Sequence, residues 1–209
     1  MSLVGHLLRR EDRFTGLLEA SALEVQANVK ALGQLLNSVS PALSLKSFVQ
    51  SRAKEQEIKS EIDTLLCQRA SSQLDHADIE ELALALNRIA KGARRFAERY
   101  LLCAPHVSDV SFARQIKMLN DAAATLQTMV AGLQSGMKVA SAKTQTNVLQ
   151  KLEGEADKLF TEAVVELYQG RHDPMKAIML KDLYEVLDRV FDRFRNTGNL
   201  ILQIVLKLS

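Results

Sequence analysis

Apolar residues in this chain recur at alternating spacings of four and three, and that rhythm admits little other than long helices packed side by side. Leu18, Ala22, Val25, Val29, Leu32, Leu36 and Val39 form one series; Phe112, Ile116, Leu119, Ala123, Leu126, Val130 and Leu133 form a second. A third runs Ile79, Leu82, Leu86, Ile89, Ala93, Phe96, Tyr100, and a fourth Leu180, Leu183, Leu187, Val190, Phe194. Such seams belong to the core faces of long helices. The scarcity of aromatics, the absence of Trp and the presence of only three Pro point the same way, since strands favour aromatic and β-branched residues. Breaks fall at Ser38–Pro41, Ser71–Asp75, Pro105, Gly132–Gly136 and Gly170–Pro174. Ser108 and Asp109 are candidate N-caps after Pro105, and Asp173 caps a helix with Pro174 at its first position. The expectation is an all-α bundle of six helices, at approximately 11–37, 43–70, 76–103, 109–134, 139–169 and 174–207.

The helices fall into two sets of three. Phe14 and Leu18 correspond to Phe112 and Ile116 at an offset of 98, and Leu82 and Leu86 to Leu183 and Leu187 at an offset of 101. Residues 1–104 and 105–209 are therefore expected to be two three-helix repeats packed as one elongated bundle. A chain of 209 residues is long enough to bury such a core.

Charge and composition exclude several classes. With 47% hydrophobic and 25% charged residues and a net charge of +2, the chain is ordinary for a globular protein and carries no global field for nucleic acid. Lys91, Arg94, Arg95 and Arg99 make one basic stripe, but no stacking aromatics interleave with it usefully, which argues against nucleic-acid binding. Cys67 and Cys103 form no Cys-x-x-Cys motif and read as reduced packing thiols of a cytoplasmic protein. The residues from Met1 to Arg10 lack a secretory signal, and the longest apolar stretch, Leu200 to Leu208, is interrupted by Gln203 and Lys207 and is too short to span a bilayer.

The chemistry-bearing feature is a set of carboxylates at helical spacing: Glu153 with Asp157, and Asp188 with Asp192, joined by Glu185. Residues four apart differ by about 40° around a helix and about 6 Å along it, so each pair points one way. Two antiparallel neighbours could bring both pairs together. Convergent carboxylates repel unless a cation or protons intervene, and oxygen-only donors suit Mg, Ca, Mn or a carboxylate-bridged iron or zinc cluster. The alternative is a solvated acidic face paired with Lys158, Arg189 and Arg193. An offset of 101 places Arg52, Gln56, Asn87 and Lys91 at the matching positions of the first half, which cannot hold a cation; Arg52 and Lys91 are free to pair with acids such as Glu55. Catalysis finds little support. No His among His6, His76, His106 and His172 follows a Glu by three positions as di-iron bundles require, and neither a phosphate-cradling Gly-rich loop nor a nucleophile beside a base is present.

At Lys151-Leu-Glu-Gly-Glu-Ala-Asp157 and at Lys181 through Asp192, the chain resembles the PhoU-like phosphate-transport accessory family, in particular the branch that accompanies Pit-type inorganic phosphate permeases. The resemblance covers nearly the whole chain, including the Asp173-Pro174 start of the last helix. It implies a six-helix fold of two three-helix repeats and a surface metal cluster, of iron or zinc, held by Glu153, Asp157, Asp188 and Asp192, with Glu185 as a further ligand. It also implies a cytoplasmic, non-enzymatic regulator of phosphate transport that contacts a Pit-type permease and reaches the membrane only through that partner; the long helical faces and the apolar end from Leu200 to Leu208 leave a homo-oligomer open, and the charge pattern argues against a nucleic-acid partner. The degenerate first half departs from the family pattern and leaves one site. The competing functions are a metal-dependent enzyme of phosphate-ester hydrolysis or metal oxidation, and a metal-free helical scaffold.

Overall fold

The structure, a computed structural model, describes residues 3–37, 42–68, 74–170 and 173–209, with side chains from Arg13 onward and, in the second helix, from Lys46. It is all-α: α1 (Leu3–Asn37), α2 (Ala42–Cys67), α3 (His76–Val107), α4 (Ala113–Gln134), α5 (Val139–Leu167) and α6 (Pro174–Lys207), with no strand among the described residues. The break expected at Ser38–Pro41 lies outside those residues, as do most of the turn before Asp75, His172 and the side chain of His6.

The apolar series become the core. Leu18, Val25, Val29 and Leu32 of α1, Leu82, Leu86, Ile89 and Phe96 of α3, Leu119, Leu126 and Val130 of α4, and Leu183, Leu187, Val190 and Phe194 of α6 are all buried. Aromatic rings run in a relay between helices: Phe96 meets Phe112 edge-on at 5.3 Å, Phe112 meets Tyr184 at 5.8 Å, and Phe160 lies within 5.9 Å of Tyr184 and 6.1 Å of Phe191. Asp173 caps α6 as expected, accepting from the backbone N–H of Met175 and Lys176, and Asp75 caps α3 through Ala77.

Several boundaries differ from expectation. Helix α1 begins at Leu3, because no proline or turn separates the opening apolar run from the seam. Pro105 does not close α3, which continues to the buried Val107. So near the C-terminus a proline forfeits only the last-turn bond to the carbonyl of Leu101. Helix α4 accordingly starts at Ala113. Ser108 and Asp109 do not cap it; Asp109 instead accepts from the Lys176 ammonium of α6 at 2.6 and 2.8 Å. Cys67 is exposed rather than packed, and both cysteines are free thiols.

Helix α1 lies along α4, and α3 lies along α6; α5 packs along α6, whereas α2 packs on α1 and touches α3 sparsely. Helix α6 runs antiparallel to α3, since Asp78 meets Lys207 while Arg99 meets Asp182. It also runs antiparallel to α5, with Thr146 bonded to the carbonyl of Gly198 and Glu153 to Arg195. Close approach depends on glycine at both seams. A Cβ on Gly92 would stand 2.7 Å from Val190 Cγ2, and one on Gly198 would stand 2.5 Å from Leu149 Cδ1.

A buried polar network replaces apolar packing where α2 meets its neighbours. Asn28 Nδ2 donates to Ser51 Oγ at 2.7 Å and to Glu55 Oε1 at 3.0 Å; Ser51 Oγ donates to Glu24 Oε2 at 2.6 Å. Arg94 of α3 donates to Glu55 Oε1 at 2.5 Å, so the acid expected to pair with Arg52 or Lys91 pairs with Arg94 instead. A small cavity of about 130 Å³ between α2 and α3 adjoins this pair and is lined by Glu55, Ile62, Leu86 and Asn87. Removing one member of a buried pair strands the other's charge, at a cost of about 3–5 kcal/mol, whereas replacing both with apolar residues is often neutral. Arg94→Met is therefore expected to lower unfolding stability in urea by about 3 kcal/mol and Arg94→Met/Glu55→Leu to recover most of it. Equal destabilisation by the single and double variants would contradict this account of the network.

Candidate functional site

The antiparallel packing of α5 on α6 gathers the acidic residues of the second half. The carboxyl of Asp188 is pushed above the ordinary carboxylate range, first by burial and then by the negative charges of Asp192, Asp157 and Glu153, with Arg189 offsetting part of this. Asp188 is thus within electrostatic reach of the other three members of the quartet. Asp157, Glu185 and Asp188 also line one shallow groove of about 280 Å³, floored by Phe160 and Tyr184. Burial pushes the Tyr184 phenol up, aided by the charge of Glu166.

The quartet contains a cation that the sequence reading missed. Arg195 Nη1 donates to Glu153 Oε1 at 2.5 Å and Nη2 to Asp192 Oδ1 at 2.9 Å, so one guanidinium ties α5 to α6 through a carboxylate of each pair. The available signal was its position, three residues after Asp192 on the same helix face. Among the described residues, Asp157 and Asp188 have no hydrogen-bond or ion-pair partner. Glu185 stands apart: Lys181 bonds it at 2.6 Å, Arg189 lies at 3.8 Å, and these cations hold its carboxyl below the usual range. Of the cations expected to neutralise an acidic face, only Arg189 does so; Arg193 turns the other way, to the carbonyl of Arg88 on α3.

Among the described residues, no three His, Cys, Asp or Glu side chains stand close enough together to hold a metal ion. The donor chemistry nevertheless fits a hard cation, because every contributor is a carboxylate and two of the four have no partner. Arg195, whose side chain is 34% exposed, meanwhile neutralises one carboxylate of each pair. The matching positions of the first half form nothing comparable: Arg52, Gln56 and Lys91 are exposed, and Asn87 lines the small cavity beside α2.

The six-helix arrangement is shared with solved structures. A PhoU-like protein from Shewanella oneidensis superimposes with a TM-score of 0.72 at 16% identity, covering 93% of this chain and 99% of the other. A second protein of that organism, whose description proposes a PhoU-like phosphate regulatory role, gives 0.65 at 14% identity over 96% of this chain and 99% of its own. PhoU from Pseudomonas aeruginosa gives 0.58 at 17% identity over 98% and 97%. No protein-family model matches the chain, and no curated protein matches it. The chain therefore has the PhoU-like fold over almost its full length.

The raised Asp188 carboxyl yields a pH dependence. A carboxyl that holds its proton more tightly folded than unfolded costs stability once pH rises above its ordinary value, and costs nothing below it. In chelator-treated protein, Asp188→Asn is expected to raise the melting temperature at pH 7, with the gain shrinking as pH falls and gone by about pH 3. Thermal melts across that range check it; a variant no more stable than the parent at pH 7 would contradict the electrostatic crowding described.

Proposed function

We propose that the protein is an accessory regulator of inorganic phosphate transport, acting by contact with a permease of the Pit type rather than by turnover, and that its α5–α6 carboxylates take a hard metal ion. The observation that carries this reading is the correspondence of nearly the whole chain with PhoU-like structures, one of them described in terms of phosphate regulation. Fold alone does not assign function; the residues add to it. Glu153 and Asp157 from α5, and Asp188 and Asp192 from α6, are the ligands, with Glu185 at the rim of the same groove. Bound there, a divalent or trivalent cation such as iron or zinc neutralises the quartet and ties α5 to α6 in place of the Arg195 guanidinium. The two three-helix repeats, residues 1–104 and 105–209, give one such site because the first repeat has lost its carboxylates.

No helix among the described residues is long and apolar enough to cross a membrane; in this reading the protein reaches the bilayer through its permease partner. The apolar C-terminal stretch contributes less to docking than its sequence suggests. Leu200, Ile201, Ile204 and Val205 are buried in the bundle, leaving Leu206 and Leu208 exposed.

Elemental analysis of protein purified without chelator is expected to find retained iron, zinc, manganese or magnesium, and Asp188→Asn/Asp192→Asn to lose it while remaining folded. A protein that neither retains these metals nor takes them up on titration sinks the metal site. Affinity capture from native membranes that repeatedly fails to recover a phosphate permease sinks the regulatory role.

A further inference from the structure

Four arginines gather along the antiparallel seam of α3 and α6. Arg193 Nη1 donates to the carbonyl of Arg88 at 2.6 Å. A Cβ on Gly92 would stand 2.8 Å from that same guanidinium nitrogen, so the absence of a side chain at Gly92 is what lets Arg193 lie across α3. Arg88 sits one turn before Gly92 and Arg95 nearly one turn after it. Arg189 sits one turn before Arg193 on α6, which in this register places it at the Arg95 end. Arg193 is held below the usual arginine range by burial and then by the charges of Arg189, Arg88 and Arg95, and no carboxylate relieves it. Among the described residues, Arg88 and Arg95 have no side-chain ion pair; Arg189 donates from Nε to the Glu185 carbonyl at 2.9 Å and shares that residue's carboxylate with Lys181 at a loose 3.8 Å. The neighbouring cations of the same stripe are occupied, Arg94 by Glu55 and Arg99 by Asp182.

We propose that the seam formed by Arg88, Arg95, Arg189 and Arg193 binds a phosphate-bearing anion. Several like charges held together by a rigid helix crossing lower their mutual repulsion by recruiting an anion, and planar guanidinium forks match the oxygens of a tetrahedral oxyanion. A multivalent anion suits four cations better than a single carboxylate. Nucleic acid fits poorly, because the exposed arginines have no exposed aromatic between them on which a base could stack. A free anion fits better than a membrane surface, because no large apolar side chain is exposed between positions 86 and 99 of α3 or 182 and 196 of α6. Through Arg189, which pairs with Glu185, the seam borders the acidic groove, but its binding of an anion does not depend on the function proposed above.

The test is isothermal titration of the full chain with tripolyphosphate and with inorganic phosphate, beside co-sedimentation with phosphatidylglycerol vesicles. The variants are Arg88→Gln/Arg95→Gln, both exposed positions, and Lys143→Gln on α5 as a control. Tripolyphosphate is expected to bind one per chain, to be displaced by inorganic phosphate, and to weaken strongly at about 1 M salt, where the screening length is about 3 Å. Arg88→Gln/Arg95→Gln is expected to lower affinity about tenfold or more at unchanged melting temperature, with Lys143→Gln binding as the parent does. Vesicle binding lost in Arg88→Gln/Arg95→Gln, without tripolyphosphate binding, supports the site and assigns its phosphate to a lipid headgroup. Binding of neither probe, or equal binding by the parent and Arg88→Gln/Arg95→Gln, overturns the proposal.

Discussion

The register of α6 against its two neighbours is the constraint from which both charged surfaces follow. Antiparallel to α5, α6 brings Asp188 and Asp192 alongside Glu153 and Asp157. Antiparallel to α3, it brings Arg189 and Arg193 alongside Arg88 and Arg95. One helix thus carries a negative flank and a positive flank, each completed by a different partner. Buried Asp78 meets the exposed Lys207 at one end of the α3 seam, and at the other Arg99 meets the exposed Asp182, a screened pair that contributes little energy. The buried interior between them sets the register, with Val190 against Gly92 and Leu149 against Gly198, where a shift of one turn would drive side chains into backbone.

The two halves use one arginine position in opposite ways. Arg94 and Arg195 stand 101 residues apart, and each reaches from the third helix of its set to the second, to Glu55 on α2 and to Glu153 on α5. In the first half the guanidinium is 12% exposed and locked to a carboxylate that Asn28 also holds, so the pair is part of the interior. In the second half it is 34% exposed and bridges two carboxylates at the edge of a larger acidic group. Burial shields the first arrangement from solvent, whereas the second is open to it. The loose packing of α2 on α3, set against the close packing of α5 on α6, fits that division.

Much of the fold was legible because apolar spacing reports helix faces directly: the series through Leu18, Leu82, Leu119 and Leu187 are the buried faces. Pro105 was misread because proline blocks a helix interior far more strongly than its last turn, and sequence gives no measure of where that turn falls. The carboxylates were legible for the same reason as the apolar seams, since spacing of four fixes a common face. Their convergence was legible only as a possibility, because it requires knowing that α5 and α6 are antiparallel neighbours. Long-range pairings were not legible. Arg94 reaches Glu55 across 39 positions and Arg193 reaches Arg88 across 105, and nothing local distinguishes these arginines from solvated ones. The basic stripe at Lys91, Arg94, Arg95 and Arg99 was visible, yet the structure divides it between a buried pair, an exposed pair and a cluster completed from α6.

In the proposed function, the α5–α6 carboxylates are a cation site that Arg195 occupies until a metal displaces it. Anomalous diffraction at the manganese edge, from crystals of the full chain grown with manganese, tests it most directly. The expected outcome is an anomalous peak enclosed by Glu153, Asp157, Asp188 and Asp192, with the Arg195 guanidinium turned out to solvent. No peak at that place, with Arg195 still bridging Glu153 and Asp192, would contradict it.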